Sequence, residues 1–160
     1  MEVSHFSKDL QEFIRLLAKY KVCYVIVGGE AVVYHGYARL TGDVDFFFKP
    51  SPANARKLHD ALKEFWSGKI PNVESSEDFL PIGMILQFGV PPNRIDLINT
   101  IAGVSFNEAW GEKIDEKMKI RGRNYPIYFI GLKELIKNKE TMGRHKDLDD
   151  LRFLKAKKKS

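Results

Sequence analysis

Two glycines and three aspartates carry the chemistry legible in this chain. Gly28 and Gly29 end the apolar run Tyr24-Val25-Ile26-Val27, and Asp43-Val44-Asp45-Phe46 follows soon after. The run reads as a buried strand, and paired glycines at its end allow a sharp turn and close approach of the backbone to an anion. A helix pattern starts at once with Glu30-Ala31-Val32-Val33-Tyr34. Free N–H groups at a helix start, together with its dipole, favour phosphate there. Asp43 and Asp45 stand two apart in a run ending Phe46-Phe47-Phe48. On a strand both point to one face, roughly 6–7 Å apart at Cα, which suits hard cations that prefer oxygen ligands. The third candidate is Asp96 in Arg94-Ile95-Asp96-Leu97-Ile98, with Ile95 and Leu97 expected to face the core and Asp96 the other way. A strand-end Asp can instead cap the turn near Asn99-Thr100.

The order of strand, Gly-Gly, helix, Asp-x-Asp and a later strand Asp resembles the nucleotidyltransferase superfamily related to DNA polymerase beta, particularly its minimal members. The likeness extends through Leu132-Lys133-Glu134-Leu135-Ile136, Lys139 and Gly143-Arg144-His145-Lys146-Asp147-Leu148-Asp149-Asp150-Leu151, so it covers most of the chain. The fold it implies is α/β (α+β), a mixed β-sheet flanked by helices with further helices at the C-terminus. The activity it implies is transfer of a nucleoside monophosphate from an NTP, with ATP the expected donor, to an acceptor hydroxyl with release of pyrophosphate. Two divalent ions about 3.5–4 Å apart can activate the acceptor oxygen and stabilise the leaving oxygen, while the protein mainly positions them. By this resemblance Asp43 and Asp45 would hold both ions, and Asp96 would complete the site nearer the acceptor and assist removal of its proton. Mg²⁺ is the expected ion and Mn²⁺ a substitute.

The same resemblance brings Gly28 and Gly29 to the beta and gamma phosphates through their backbone N–H groups. Arg39 and Thr41, just before the Asp-bearing strand, are placed to reach phosphate, with a surface ion pair the alternative for Arg39. Lys139, Arg144 and Lys146 match a basic series that in family members faces triphosphate or acceptor; solvated helix faces are their alternative. Small relatives modify antibiotics, tRNA ends or proteins, and some are halves of toxin–antitoxin pairs, so the acceptor stays open among small molecule, RNA and protein. With no separate substrate domain apparent, a partner chain, a homodimer or a macromolecular acceptor is expected to complete the site. The competing class is a non-catalytic nucleotide- or RNA-binding module, such as a regulatory or antitoxin subunit.

Neighbouring polar residues have plainer readings. Glu30 is expected as a helix-start acid, His35 as a dipole-stabilising or packed residue, and Asp147 and Asp150 as capping or pairing groups. The phosphate loop G-x-x-x-x-G-K-[ST], the dinucleotide fingerprint G-x-G-x-x-G and a complete calcium loop are all absent, as is a recognisable nucleophilic Ser or Cys motif.

Composition sets outer bounds. The 160 residues suit one domain, expected over 1–154, followed by a basic tail over 155–160 expected to be disordered. The formal charge is +5, but Lys155, Lys157, Lys158 and Lys159 account for four of the 26 basic residues, so the body is nearly balanced against 21 acidic ones. Composition therefore makes no strong case for nucleic acid. No stretch approaches the ~20 apolar residues of a membrane span, and Met1-Glu2-Val3-Ser4-His5 lacks the order of a secretion signal, so a cytoplasmic protein is expected. The lone Cys23 excludes an internal disulfide and is expected to be buried and inert.

Helical spacing of Phe6, Leu10, Phe13, Leu17 and Tyr20 predicts an opening amphipathic helix, and Ser51-Pro52 an N-cap and first-turn proline for the next long one. Hairpins are expected from Ile82 to Ile98 around Pro91-Pro92-Asn93 and from Lys117 to Ile130 around Gly122. Ser105 to Lys113 is ambiguous, with a short helix as one reading, and two helices, Leu132 to about Lys139 and about Lys146 to Lys157, are expected at the end.

Overall fold

The computed structural model describes Met1 and residues 5–160; the export-signal reading of Glu2, Val3 and Ser4 lies outside the described residues. Helix α1, Lys8–Lys19, is N-capped by Ser7, whose hydroxyl accepts from the Leu10 N–H, and it leads into β1, Tyr24–Val27. Helix α2, Gly28–Tyr34, follows with no intervening residue, and β2, Asp43–Phe48, returns antiparallel to β1. Helix α3, Pro52–Phe65, has Ser51 as N-cap and proline in its first turn, as its sequence predicts. A short 3-10 turn, Ser76–Phe79, which the sequence reading lacked, precedes the hairpin of β3, Ile85–Phe88, and β4, Arg94–Ile98. Helix α4, Phe106–Gly111, carries a Ser105/Glu108 capping box. The second hairpin is β5, Ile114–Ile120, with β6, Arg123–Phe129, and the chain ends in α5, Leu132–Met142, and α6, His145–Lys158.

The six strands form one mixed sheet in the order β3-β4-β2-β1-β6-β5, with β2/β4 and β1/β6 parallel and the other pairs antiparallel. Strand alternation divides the apolar residues between its faces. Tyr24, Ile26, Val44, Phe46, Phe48, Ile95 and Leu97 pack beneath α1 and α3. Val25, Val27 and Phe47 pack on the opposite face with residues of α2, α4, α5 and α6. Both cores thus share one sheet, and the expected mixed sheet with flanking and C-terminal helices is the architecture observed.

Three local expectations need correction. Helix α6 continues to Lys158, so the basic segment expected to be disordered from 155 is helical almost to its end; Leu151 and Leu154 anchor it, and lysines in the last turn complement the dipole. Cys23 is only partly buried, since it lies just ahead of β1, where its N–H donates to the Asn54 side chain. Asn99, rather than Asp96, ties down the turn after β4, donating to the Phe79 and Pro81 carbonyls and accepting from the Gly83 N–H. No helix among the described residues is long and apolar enough to cross a membrane.

Candidate active site

Register gathers the acidic residues. In the parallel pair β2/β4, Asp45 lies beside Asp96 and Asp43 beside Arg94, while Gln87 on β3 and Val27 on β1 extend the Asp45 row in either direction. All four charged side chains share one face because alternation sends Val44 and Ile95 to the other core. One carboxylate oxygen from each of Asp43, Asp45 and Asp96 lies within 4.8 Å of the other two. Three negative charges so close favour either a proton or a cation. At Asp45, burial first and then the neighbouring Asp96 and Asp43 carboxylates push the carboxyl up to about 7. An all-oxygen donor set of this kind fits a hard divalent ion.

Arg94 is the site residue that the sequence reading missed. Its guanidinium donates to Asp43 Oδ2 at 2.9 Å and to Asp96 Oδ1 at 3.2 Å, and its side chain remains a third exposed. The signal was present, because Arg94 stands two residues before Asp96 on one strand and so must share its face. Gln87 adds a weaker donor to Asp96 at 3.3 Å.

The glycine turn lies against Asp45. Gly28 has φ of +67°, and a Cβ there would fall 2.3 Å from Asp45 Oδ2, so the position requires glycine for conformation and for room. A Cβ on Gly29 would meet Thr41 Oγ1 at 2.7 Å and the Arg39 guanidinium at 3.2 Å, which places both side chains against the turn. The Thr41 hydroxyl donates to the Asp43 carbonyl. Arg39 grips Asp150 with two nitrogens at 2.8 and 2.9 Å, so it is an ion-pair partner and a neighbour of the glycine turn at once.

The C-terminal basic series divides. Lys139 is 3% exposed and lies 3.1 Å from both Asp147 and Asp150. Its charge is felt at Asp45, whose carboxyl it draws downward against the stronger upward effects. Arg144, the residue ahead of α6, closes a capping box with Asp147 and donates to it at 2.7 Å. Burial raises the Asp147 carboxyl, but hydrogen bonds from Arg144 and Lys139 outweigh it and hold the group at about 2. Lys146 is exposed on the first turn of α6 and does not join this cluster. Glu30 is buried at the start of α2, and its carboxylate accepts from His5 Nε2 at 2.6 Å. His35 is a packed residue: it is buried, its ring contacts the Ile130 carbonyl at 2.9 Å, and burial pushes its pKa down.

A family described as "Nucleotidyltransferase of unknown function (DUF6036)" matches residues 5–155. The chain belongs to that family. No curated protein matches it. In this nucleotidyltransferase-family protein the matched span covers the glycine turn, all three aspartates and the Lys139–Asp147–Asp150 cluster.

Proposed function

We propose that the protein transfers a nucleoside monophosphate from an NTP, with ATP as the first donor to test, to an acceptor hydroxyl. The observation that carries the reading is the register match of Asp45 with Asp96, which converges three carboxylates beneath a glycine turn. Asp43, Asp45 and Asp96 would hold divalent ions, Mg²⁺ by preference, which would supply charge neutralisation at the reacting oxygens. Gly28 and Gly29 present backbone to the phosphates without side-chain obstruction. Arg39, fixed by Asp150, and Thr41 flank that turn and would orient the triphosphate. Lys139 and Arg144 act behind them, holding the buried acids of α6, and Lys146 is free in solution to meet a larger substrate. Asp96, the most buried of the three acids, is the proposed acceptor of the hydroxyl proton. A cytoplasmic setting, where NTP and Mg²⁺ are plentiful, is part of the proposal.

The test is incubation of the protein and its D45N variant with Mg²⁺, each alpha-labelled NTP in turn and an extract of the source cell. Label that the wild type transfers and D45N does not, by at least about a hundredfold, is the expected result. Equal labelling by D45N refutes the metal assignment, and no labelling by folded wild type under all four NTPs favours the non-catalytic binding module.

A further inference from the structure

The sheet has two outer strands, and their sequences treat the edge in opposite ways. Outer strand β5 carries Asp115, Glu116, Lys117 and Lys119, and the terminal ammonium of Met1 donates to the Lys117 carbonyl at 3.3 Å. Charges of that kind keep an edge from pairing with another strand. The other outer strand, β3, sits in the longest uncharged stretch of the chain, Phe79 to Asn93. Ile82, Ile85 and Val90 stand exposed within it, Ile85 at 62%. The backbone of β3 is also half unpaired. The Arg94 N–H donates to the Gly42 carbonyl at 3.3 Å, so Arg94 turns its backbone to β2, and by alternation Ile95 and Leu97 turn theirs to β3. Their partners Phe88 and Leu86 are thereby bonded to β4. The N–H and C=O groups of Ile85 and Gln87 face outward, with no backbone hydrogen bond among the described residues. An open groove of about 490 Å³ follows this edge: Ile85, Leu86 and Gln87, which belong to both sheet faces, form one wall, and Asn72, Val73 and Asp78 the other. The Asp78 carboxylate is already engaged, accepting from the Glu74 and Ser75 N–H groups.

We infer that β3 is a dimerisation edge whose occupant is β3 of a second copy of this chain, paired antiparallel about a two-fold axis through Leu86. A two-fold contact needs a surface that matches itself. In this register Ile85 exchanges both backbone bonds with the partner's Gln87, and Gln87 does the same with the partner's Ile85. Each β3 lies in the other's groove. Like charges weigh against other meetings of two chains of formal charge +5, whereas nothing charged stands between Phe79 and Asn93 to oppose this one. A charged peptide finds no free charge along the edge to recognise, and a short apolar strand is what β3 itself supplies. An axis normal to the sheet keeps its faces in common, so the row Asp45–Asp96–Gln87 runs on to the partner's Ile85. Both acidic triads then open on one face, roughly 16 Å apart at Asp96. The contact stands whether or not the triad turns over NTP.

The test uses the full chain. Sedimentation velocity between about 1 and 200 µM is expected to show a reversible monomer–dimer equilibrium, because so small an edge supports micromolar affinity. I85K changes an exposed side chain, so the monomer should stay folded by circular dichroism while association weakens at least about tenfold. Leu86 meets itself at a non-hydrogen-bonded pair, about 4.5 Å between Cα atoms, which is within disulfide range. The C23S/L86C chain, with a single thiol, should therefore form a disulfide-linked dimer on mild oxidation, and adding I85K should suppress it. Amide exchange at Ile85 and Gln87 should slow as protein concentration rises, while Leu86 and Phe88 stay slow throughout. A chain still monomeric at about 200 µM, a dimer unaffected by I85K, or a dimer that L86C fails to cross-link overturns the β3 pairing. Slowed exchange at Ile85 and Gln87 only on addition of cell extract assigns the edge to a different protein and overturns the second copy as its occupant.

Discussion

Arg94 occupies the carboxylates that a metal would need, and replacing it tests how the site is built. Any cation among oxygens lying within 4.8 Å of one another is roughly 5 Å from a guanidinium bonded to Asp43 at 2.9 Å. A dication there repels the guanidinium and takes over the carboxylate oxygens it binds, so Arg94 is expected to swing away when the ion enters. Leaving breaks two ion pairs whose members, apart from the 12%-exposed Asp96 side chain, are about a third exposed. Such solvent-screened pairs contribute little, so R94Q should bind a divalent ion about 2- to 30-fold more tightly. The freed guanidinium is then available to the triphosphate, so transfer by R94Q should fall even as metal affinity rises. Calorimetric titration with Mn²⁺ at pH 8, where Asp45 is ionised, measures the first effect. Unchanged or weaker binding in R94Q would show that Arg94 orients the carboxylates instead of competing for them, and the displacement argument would fail.

Other perturbations separate the parts of the site. The Asp45 carboxyl at about 7 lies far above its unfolded value, so the metal-free native state holds an extra proton between those values. That stabilising component is complete below about pH 4 and disappears as pH rises through about 7; thermal unfolding in a chelator should show it, and D45N should lack it. Below about pH 7 the affinity for Mg²⁺ should fall up to about tenfold per pH unit, with proton release measurable by calorimetry in buffers of different ionisation enthalpy. G28A places a methyl group on Asp45 and strains a backbone at φ of +67°, so it should lower stability by about 1–2 kcal/mol and weaken metal binding; wild-type affinity would show that Asp45 can move freely. K139M leaves Asp147 and Asp150 short of charge in a buried setting and should destabilise by about 3 kcal/mol in urea unfolding, the lower end for such pairs because Arg39 and Arg144 remain. A loss below about 1 kcal/mol would mean that water reaches those acids.

What the sequence made legible was local. Alternation placed Asp43, Asp45 and Asp96 on strand faces, Gly28 and Gly29 at a strand end, and Ser51-Pro52 at a helix start, because each depends on neighbours within a few residues. The same rule applied to β4 would have put Arg94 beside Asp96. The pairing of Asp45 with Asp96 needed the parallel β2/β4 register, which joins segments about fifty residues apart and leaves no local mark. His5 with Glu30 and Arg39 with Asp150 are likewise products of tertiary packing. At the C-terminus the sequence offered two expectations, a helix to about Lys157 and a disordered tail from 155; α6 follows the first, because Leu151 and Leu154 anchor the helix that carries the lysines.

Two charge assemblies therefore meet at the glycine turn, and their burial assigns them different work. The triad and Arg94 are partly open to water, so their ion pairs exchange at low cost and a ligand can replace them. Lys139, Asp147 and Asp150 are almost fully buried, and each charge there is already matched by an opposite one. Breaking that lattice costs stability, which suits a fixed frame better than a substrate contact. Arg39 connects the two, because its Nη2 both donates to Asp150 and lies against the Gly29 turn. The C-terminal helices thus act on the phosphate region through Arg39: removing Asp150 should free Arg39 before it disturbs the aspartates, raising the KM for NTP while leaving metal affinity in place. Equal loss of metal affinity in D150N would mean that the frame holds the triad itself.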